Sequence, residues 1–299
     1  MNEQELIMGN QLFLSSGSTA APQPCPAALA GKTIVIKYGG NAMISDNLRV
    51  AVMEDVVALQ KGGAKVVLLH GGGAGISEML RRLKVPSHFV NGSRHTSPEI
   101  LRIAKMVMIG DISTDLVSDM LALGGSAIAL SGVSGALFLC HQQSEEMGLV
   151  GDIDEVNLQP LSLMLEAGYV PIIAPIGTDG KGCCFNLNAD TAAGFLAEAL
   201  KADKFILLTD IAGLCNSVER GDVISYLNPS DVPRLKARGI ISGGMIPKID
   251  SCLHAVAQGV GEVHIVDGRK PHCVMHALLE GSGGTTVGTA HESIGIAAE

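Results

Sequence analysis

From Lys32 onward, short apolar runs alternate with longer segments whose apolar positions recur every three or four residues. Residues 33–38, 65–70, 170–174, 205–209 and 263–266 are runs of the first kind, rich in Val and Ile and lacking polar alternation. That is the pattern of strands covered on both faces. The second kind predicts helices over residues 46–61, 76–83, 97–123, 158–166, 190–200 and 247–258. Residues 127–130 and 136–140 read as two short strands in hairpin-like spacing. Strands separated by helices imply an α/β protein with a mostly parallel open sheet sandwiched by helices. Two lobes are expected, residues 31–201 and 202–299, with a boundary near Lys201. Residues 1–30 read as an extension: a short helix over 5–14, then a linker rich in Ser, Ala, Gly and Pro.

Composition narrows the function. The 299 residues suit two domains of roughly 150 each. Lys and Arg number 21 against 30 Asp and Glu, a net charge of −9 with no basic block, which argues against nucleic-acid binding. No run of 18 apolar residues predicts a membrane span. Seven cysteines without paired spacing predict reduced thiols in a cytoplasmic protein. The histidines form no metal-ligand spacing, so His70, His88, His95, His264 and His272 read as packing or surface residues. Glycine is abundant, at 37 residues, and clusters where apolar runs end.

Those clusters matter because open α/β sheets bind ligands beyond the carboxyl ends of their strands. Gly31-Lys32-Thr33 mimics the end of a Walker A loop, but Pro26 stands where the first glycine belongs and a strand follows instead of a helix. Gly71 and Gly73 begin a GxGxxG pattern that Ile76 breaks. Lys37-Tyr38-Gly39-Gly40 places a cation at a strand end beside two residues without a Cβ. His70-Gly71-Gly72-Gly73 ends the next strand and opens a helix, where free N–H groups favour an anion. Lys248 follows Gly243-Gly244 and Pro247 in the first turn of a helix, an unfavourable place for a cation unless an anion lies between. Asn186, Asn188 and Asp190 share one face if the chain there is extended. Arg94 offers a bidentate grip on a carboxylate. Plainer readings stay open: tight turns for the glycines, a helix cap for Asn188 or Asp190, solvated surface positions for Lys248 and Arg94.

Taken in order, residues 37–43, His70 to Gly73, Asn91-Gly92 with Arg94, Asn186 to Asp190, Thr209-Asp210 with Gly213, and Gly243-Gly244-Met245 with Lys248 resemble the amino-acid kinase family over about residues 31–288. The resemblance implies ATP-dependent phosphorylation of the side-chain carboxylate of N-acetyl-L-glutamate, a step of arginine biosynthesis, with Mg²⁺ held mainly by the nucleotide and no protein metal site. It implies that Lys37 and Lys248 stabilise the transferring phosphoryl group and that Asp190 orients both. It places Gly71, Gly72, Arg94, Asn186 and Asn188 at the acyl substrate. It places Gly39, Gly40, Asp210, Gly213, Leu214, Ile240, Ile241 and Ser242 at the nucleotide. A homodimer is implied, with a hexamer and an arginine effector in one subgroup, whose pattern residues 264–269 resemble. Departures from the family pattern fall at Ala74-Gly75, Ser93, His95 and Ser134, around the acyl pocket. They leave open a kinase of another acylated amino acid, such as an aminoadipate type, or a silent arginine- or nucleotide-binding regulator.

Overall fold

The computed structural model describes residues 25–43, 45–90, 93–215, 223–242, 245–280 and 283–289. The helix expected over 5–14, Asn91-Gly92 and Gly243-Gly244 lie outside those residues.

Fourteen strands are described: β1 Thr33–Tyr38, β2 Lys65–His70, β3 Phe89–Val90, β4 Ser93–Arg94, β5 Ala127–Ser131, β6 Phe138–Gln142, β7 Gly151–Val156, β8 Val170–Ala174, β9 Ile176–Thr178, β10 Cys184–Asn186, β11 Lys204–Thr209, β12 Tyr226–Leu227, β13 Glu262–Asp267 and β14 Gly284–Gly288. The helices are α1 Asp46–Lys61, α2 Gly73–Leu83, α3 Pro98–Lys105, α4 Ser113–Ala122, α5 Gln159–Glu166, α6 Ala189–Ala199, α7 Val232–Ala237, α8 Met245–Ala257 and α9 Cys273–Glu280. A π-helical segment, Met106–Ile112, joins α3 to α4.

Eight strands form one sheet in the order β12-β14-β13-β11-β1-β2-β8-β5. Pairings are parallel except β13 with β14. The sheet runs unbroken across residue 201: β1 pairs with β2 on one side and with β11 on the other. Alternation along the strands sorts the core. Val35, Val67, Leu69, Phe205 and Ile265 pack against Leu196 of α6 and Ile249 of α8. Ile34, Ile36, Leu68 and Ile206 pack on the opposite face against Val52 and Met53 of α1, Leu116 of α4 and Met275 of α9. With side-chain period two, Lys37 shares the Val35 face and so points toward α6.

The expected hairpin of residues 127–130 with 136–140 does not form. β5 pairs with β8 in the large sheet, whereas β6 pairs with β7 and β9 in a separate sheet ordered β10-β9-β6-β7. The intervening turn accounts for this. Gly135 takes φ +60°, and a Cβ on Gly132 would meet the Phe138 ring at 2.4 Å and the Ile176 carbonyl at 2.6 Å. That tight packing steers the chain out of the large sheet.

Candidate active site

The carboxyl ends of β1, β2 and β11 open on a cleft of about 610 Å³. Lys37 enters it from β1. Its ammonium lies 2.9 Å from Asp190 Oδ1. Asp190 reaches this point because Asn188 caps α6: the Asn188 side-chain oxygen accepts from the N–H groups of Asp190 at 2.9 Å and Thr191 at 3.1 Å. Burial acts to raise the Asp190 carboxyl. The charge of Lys37, its hydrogen bond and the charge of Lys248 outweigh that and hold it below the ordinary carboxylate range. Asp190 therefore stays ionised at neutral pH.

The two glycines after Lys37 have distinct tasks. A Cβ on Gly39 would sit 2.9 Å from the Lys37 ammonium, so the missing side chain is the space the lysine occupies. Gly40 has φ +69°, which suits glycine, and a Cβ there would lie 2.6 Å from Asp210 Oδ1. Asp210, just beyond β11, is thereby drawn to the rim of the same cleft.

On the β2 side, α2 starts at Gly73 with Gly72 as its N-cap. The N–H groups of Gly72, Gly73, Ala74 and Gly75 find no acceptor among the described residues, and all four residues line the cleft. A Cβ on Gly72 would lie 2.4 Å from Met108 Cγ, and one on Gly75 would lie 3.0 Å from Val107 Cγ1. The glycines thus seat α2 tightly against the π-helical segment. Met108 and Ile112 of that segment, with Ile76 of α2, give the cleft an apolar wall.

Arg94 is only 7% exposed. β3 and β4 place Phe89 opposite it, and its guanidinium lies 4.5 Å from the centre of that ring. It donates to Ser87 Oγ at 2.7 Å, Ser77 Oγ at 2.7 Å and the Gly73 carbonyl at 3.1 Å. Among the described residues no carboxylate pairs with it, and burial lowers its pKa. A buried cation with neutral partners in an open cleft can receive an anion. Asn186 completes this side and donates to Thr96 Oγ1 at 3.2 Å.

A second cleft, of about 550 Å³, lies between α6 and α8 over β11 and β13. Asn188 and Asp190 line both clefts. Lys248 lines the second, four residues into α8, together with Phe195, Leu207 and Thr209. Two cavities therefore meet at one carboxylate flanked by lysines.

Of the residues singled out in the sequence, Lys37, Gly39, Gly40, Gly71, Gly72, Arg94, Asn186, Asn188, Asp190 and Asp210 gather in the first cleft. Asn186, Asn188 and Asp190 do share a cavity, but through a strand end, a cap and a helical turn rather than one extended segment. Gly213, Leu214, Ile240, Ile241 and Ser242 line neither cleft. The Leu214 N–H is taken by Thr285 Oγ1 at 2.8 Å, and the side chains of Leu214 and Ile241 lie in the core. Ser242 is exposed just ahead of α8. Sequence reading overlooked Phe89, Met108 and Ile112. At the departing position Ser134, the hydroxyl accepts the Ser131 N–H at 3.1 Å and still closes its turn. His95 stacks on His88 with ring centres 4.6 Å apart. Among the described residues there is no group of three or more His, Cys, Asp or Glu suited to a metal ion, and no helix long and apolar enough to cross a membrane.

A model described as the amino acid kinase family matches residues 32–267. An acetylglutamate kinase of Clostridioides difficile (strain 630) is 44% identical over 265 residues, covering 88% of this chain and 93% of that protein. An acetylglutamate kinase of Thermoanaerobacter pseudethanolicus is 43% identical over 263 residues, covering 87% of this chain and 88% of that protein. The fold is also similar to an N-acetylglutamate synthase of Neisseria gonorrhoeae solved with coenzyme A and N-acetyl-glutamate (TM-score 0.77, 19% identity, 98% of this chain and 65% of that one). A carbamate kinase of Giardia lamblia bound to AMP-PNP shares it as well (TM-score 0.64, 19% identity, 87% and 99%). At that identity the two structures speak to the fold alone. With the family model spanning most of the chain and relatives above 40% identity covering nearly all of it, this chain belongs to the amino acid kinase family.

Proposed function

We propose that this protein transfers the terminal phosphoryl group of ATP to the side-chain carboxylate of N-acetyl-L-glutamate, in arginine biosynthesis. The similarity to acetylglutamate kinases supports this reading. The observation that carries it is the buried, carboxylate-free Arg94 in the same cleft as the Lys37–Asp190 pair. Arg94 takes the α-carboxylate. The side-chain carboxylate then faces Lys37. N-acetylation removes the ammonium charge, so the acceptor needs no acidic partner where Asn186 and Asn188 line the wall.

The chemistry asks little covalent help from the protein. A glutamyl carboxylate, with a pKa of about 4.3, is already ionised and attacks phosphorus without a general base. Asp190, held below the ordinary carboxylate range, has no proton to give and none to take at neutral pH. It holds Lys37 in place, and its attraction reaches Lys248 across the junction of the clefts. Positioning and charge stabilisation are the main levers in phosphoryl transfer. The lysines and the free N–H groups at the start of α2 supply them. The nucleotide occupies the second cleft and its phosphates reach the first, where Gly40 and Asp210 lie, with residues 240–242 leading into α8. Gly213 and Leu214 act through the shape of the turn behind Asp210. Mg²⁺ arriving with ATP offsets part of the polyphosphate charge.

A homodimer, its assembly into a hexamer and an arginine response are the finer parts of this reading. Native mass measurement and rates with added arginine test them. The reaction itself is tested by trapping the acyl phosphate with hydroxylamine. A Mg²⁺-dependent hydroxamate from N-acetyl-L-glutamate, and none from free glutamate, is expected. Equal signals from both, or none from either, would overturn the reading.

A further inference from the structure

His70 ends β2 and is wholly buried, as is Ser113 at the start of α4. Its Nδ1 lies 2.8 Å from the Gly71 carbonyl oxygen. A carbonyl only accepts, so Nδ1 carries the proton. Its Nε2 lies 2.7 Å from Ser113 Oγ. Burial pulls the ring's pKa down to about 4, so the ring is neutral at pH 7 and Nε2 accepts from the Ser113 hydroxyl. The Gly71 carbonyl thus selects the tautomer, and the Ser113 hydroxyl locks the ring by donating to the bare Nε2.

The effect lies one atom pair further along. In a trans peptide the C=O and the following N–H point in opposite directions. No described peptide bond is cis. A Gly71 carbonyl held toward His70 turns the Gly72 N–H away from it. Gly72 lines the first cleft, and its N–H has no acceptor among the described residues. The peptide lies between two glycines, whose backbones have no Cβ to resist a flip. The Gly71 N–H is fixed separately, to the Tyr38 carbonyl at 2.8 Å. The π-helical segment ends directly before Ser113, so one local change of helical register both presents Ser113 to His70 and seats Met108 against Gly72.

We propose that His70, locked by Ser113 with its proton on Nδ1, is a positioning residue that holds the Gly71–Gly72 peptide with its N–H turned to the anionic oxygens of the acceptor and the transferring group. The proposal rests on the kinase reading above for the identity of those oxygens, but the lock itself is a property of the free protein.

The test separates the two. In His70→Asn the side-chain amide N–H takes the place of Nδ1–H. In His70→Gln it takes the place of Nε2. The Asn variant should keep kcat for acyl-phosphate formation within about tenfold, while Gln and Ala variants lose on the order of 10²-fold, the usual effect of removing one charge-stabilising donor. The KM for ATP should hold in all three. A merely structural role would rank the variants by thermal stability and not by donor position. In the substrate-free wild type, ¹⁵N NMR of labelled histidine should give a protonated Nδ1 and a bare Nε2 for His70, and this needs no variant to fold. An Nε2–H ring, or folded Asn and Gln variants with equal kcat, would overturn the proposal. Absence of any acyl phosphate from the wild type, with the Nδ1–H ring in place, would fault the kinase reading and not the lock.

Discussion

At the residue scale, the site depends on what is missing as much as on what is present. Lys37 reaches Asp190 across the space a Cβ on Gly39 would occupy. Gly39 has no left-handed backbone, so an alanine there meets only the flexible end of a lysine. Gly39→Ala should leave the thermal unfolding midpoint nearly unchanged. It should lower kcat by about 10²-fold or more, because the displaced ammonium acts on developing charge. Steady-state kinetics beside a melting curve check this split. Lys37, Asp190 and Arg94 were legible in the sequence because each sits in a motif whose neighbours constrain it. Phe89 was not singled out, although Asn91-Gly92 is a two-residue hairpin signal and the pairing around it sets Phe89 opposite Arg94. His70 was visible but read as packing, since the tautomer lock requires Ser113, which is 43 residues away in sequence.

At the scale of elements, α6 and the π-helical segment aim the chemistry. α6 begins at a capped turn that carries Asp190. Loss of a side-chain N-cap costs about 1 kcal/mol. Asn188→Ala should therefore lower stability by about that amount and reduce kcat as the Asp190 turn frays. Asn188→Asp keeps a capping oxygen but adds a negative charge to a cleft built for anions, so it should hold stability and raise the KM for the acyl amino acid. Chemical denaturation and kinetics on the two variants separate capping from charge. Strands β1, β2 and β8 were read from the sequence with their observed bounds, because buried apolar runs bounded by glycine leave few alternatives. The stretch 97–123 was read as one helix. Its periodicity conceals the wider turns of Met106–Ile112, since a π segment changes register without changing composition. The small sheet of β6, β7, β9 and β10 was mostly missed for a related reason: β9 and β10 have only three residues each, and half of β7 lacks buried apolar positions.

At the scale of the whole molecule, one continuous sheet sets the carboxyl ends of β1, β2 and β11 side by side, and the two clefts meet there. The two expected lobes thus share one sheet, and under the proposed function reactants in separate cavities would converge on Lys37 and Asp190. The same burial makes the fold sensitive to acid. His70, at about 4 against an ordinary 6.5, binds fewer protons folded than unfolded between those values, so stability falls as pH drops through that window. The shift corresponds to on the order of 3 kcal/mol. Glu262 is held near 2 by the neighbouring His264 ring and the Lys204 ammonium, with burial opposing them. It adds a further loss as pH falls from about 4.5 toward 2. Urea midpoints measured from neutral to acid pH should decline along this course, and His70→Asn should flatten the upper part. The central claim is that the acceptor carboxylate itself attacks phosphorus. N-acetyl-L-glutamate labelled with ¹⁸O in its side-chain carboxylate, turned over with ATP and trapped with hydroxylamine, tests it directly. Phosphate released in the trap should carry one ¹⁸O, read as an isotope shift in ³¹P NMR, whereas unlabelled phosphate alone would contradict the account.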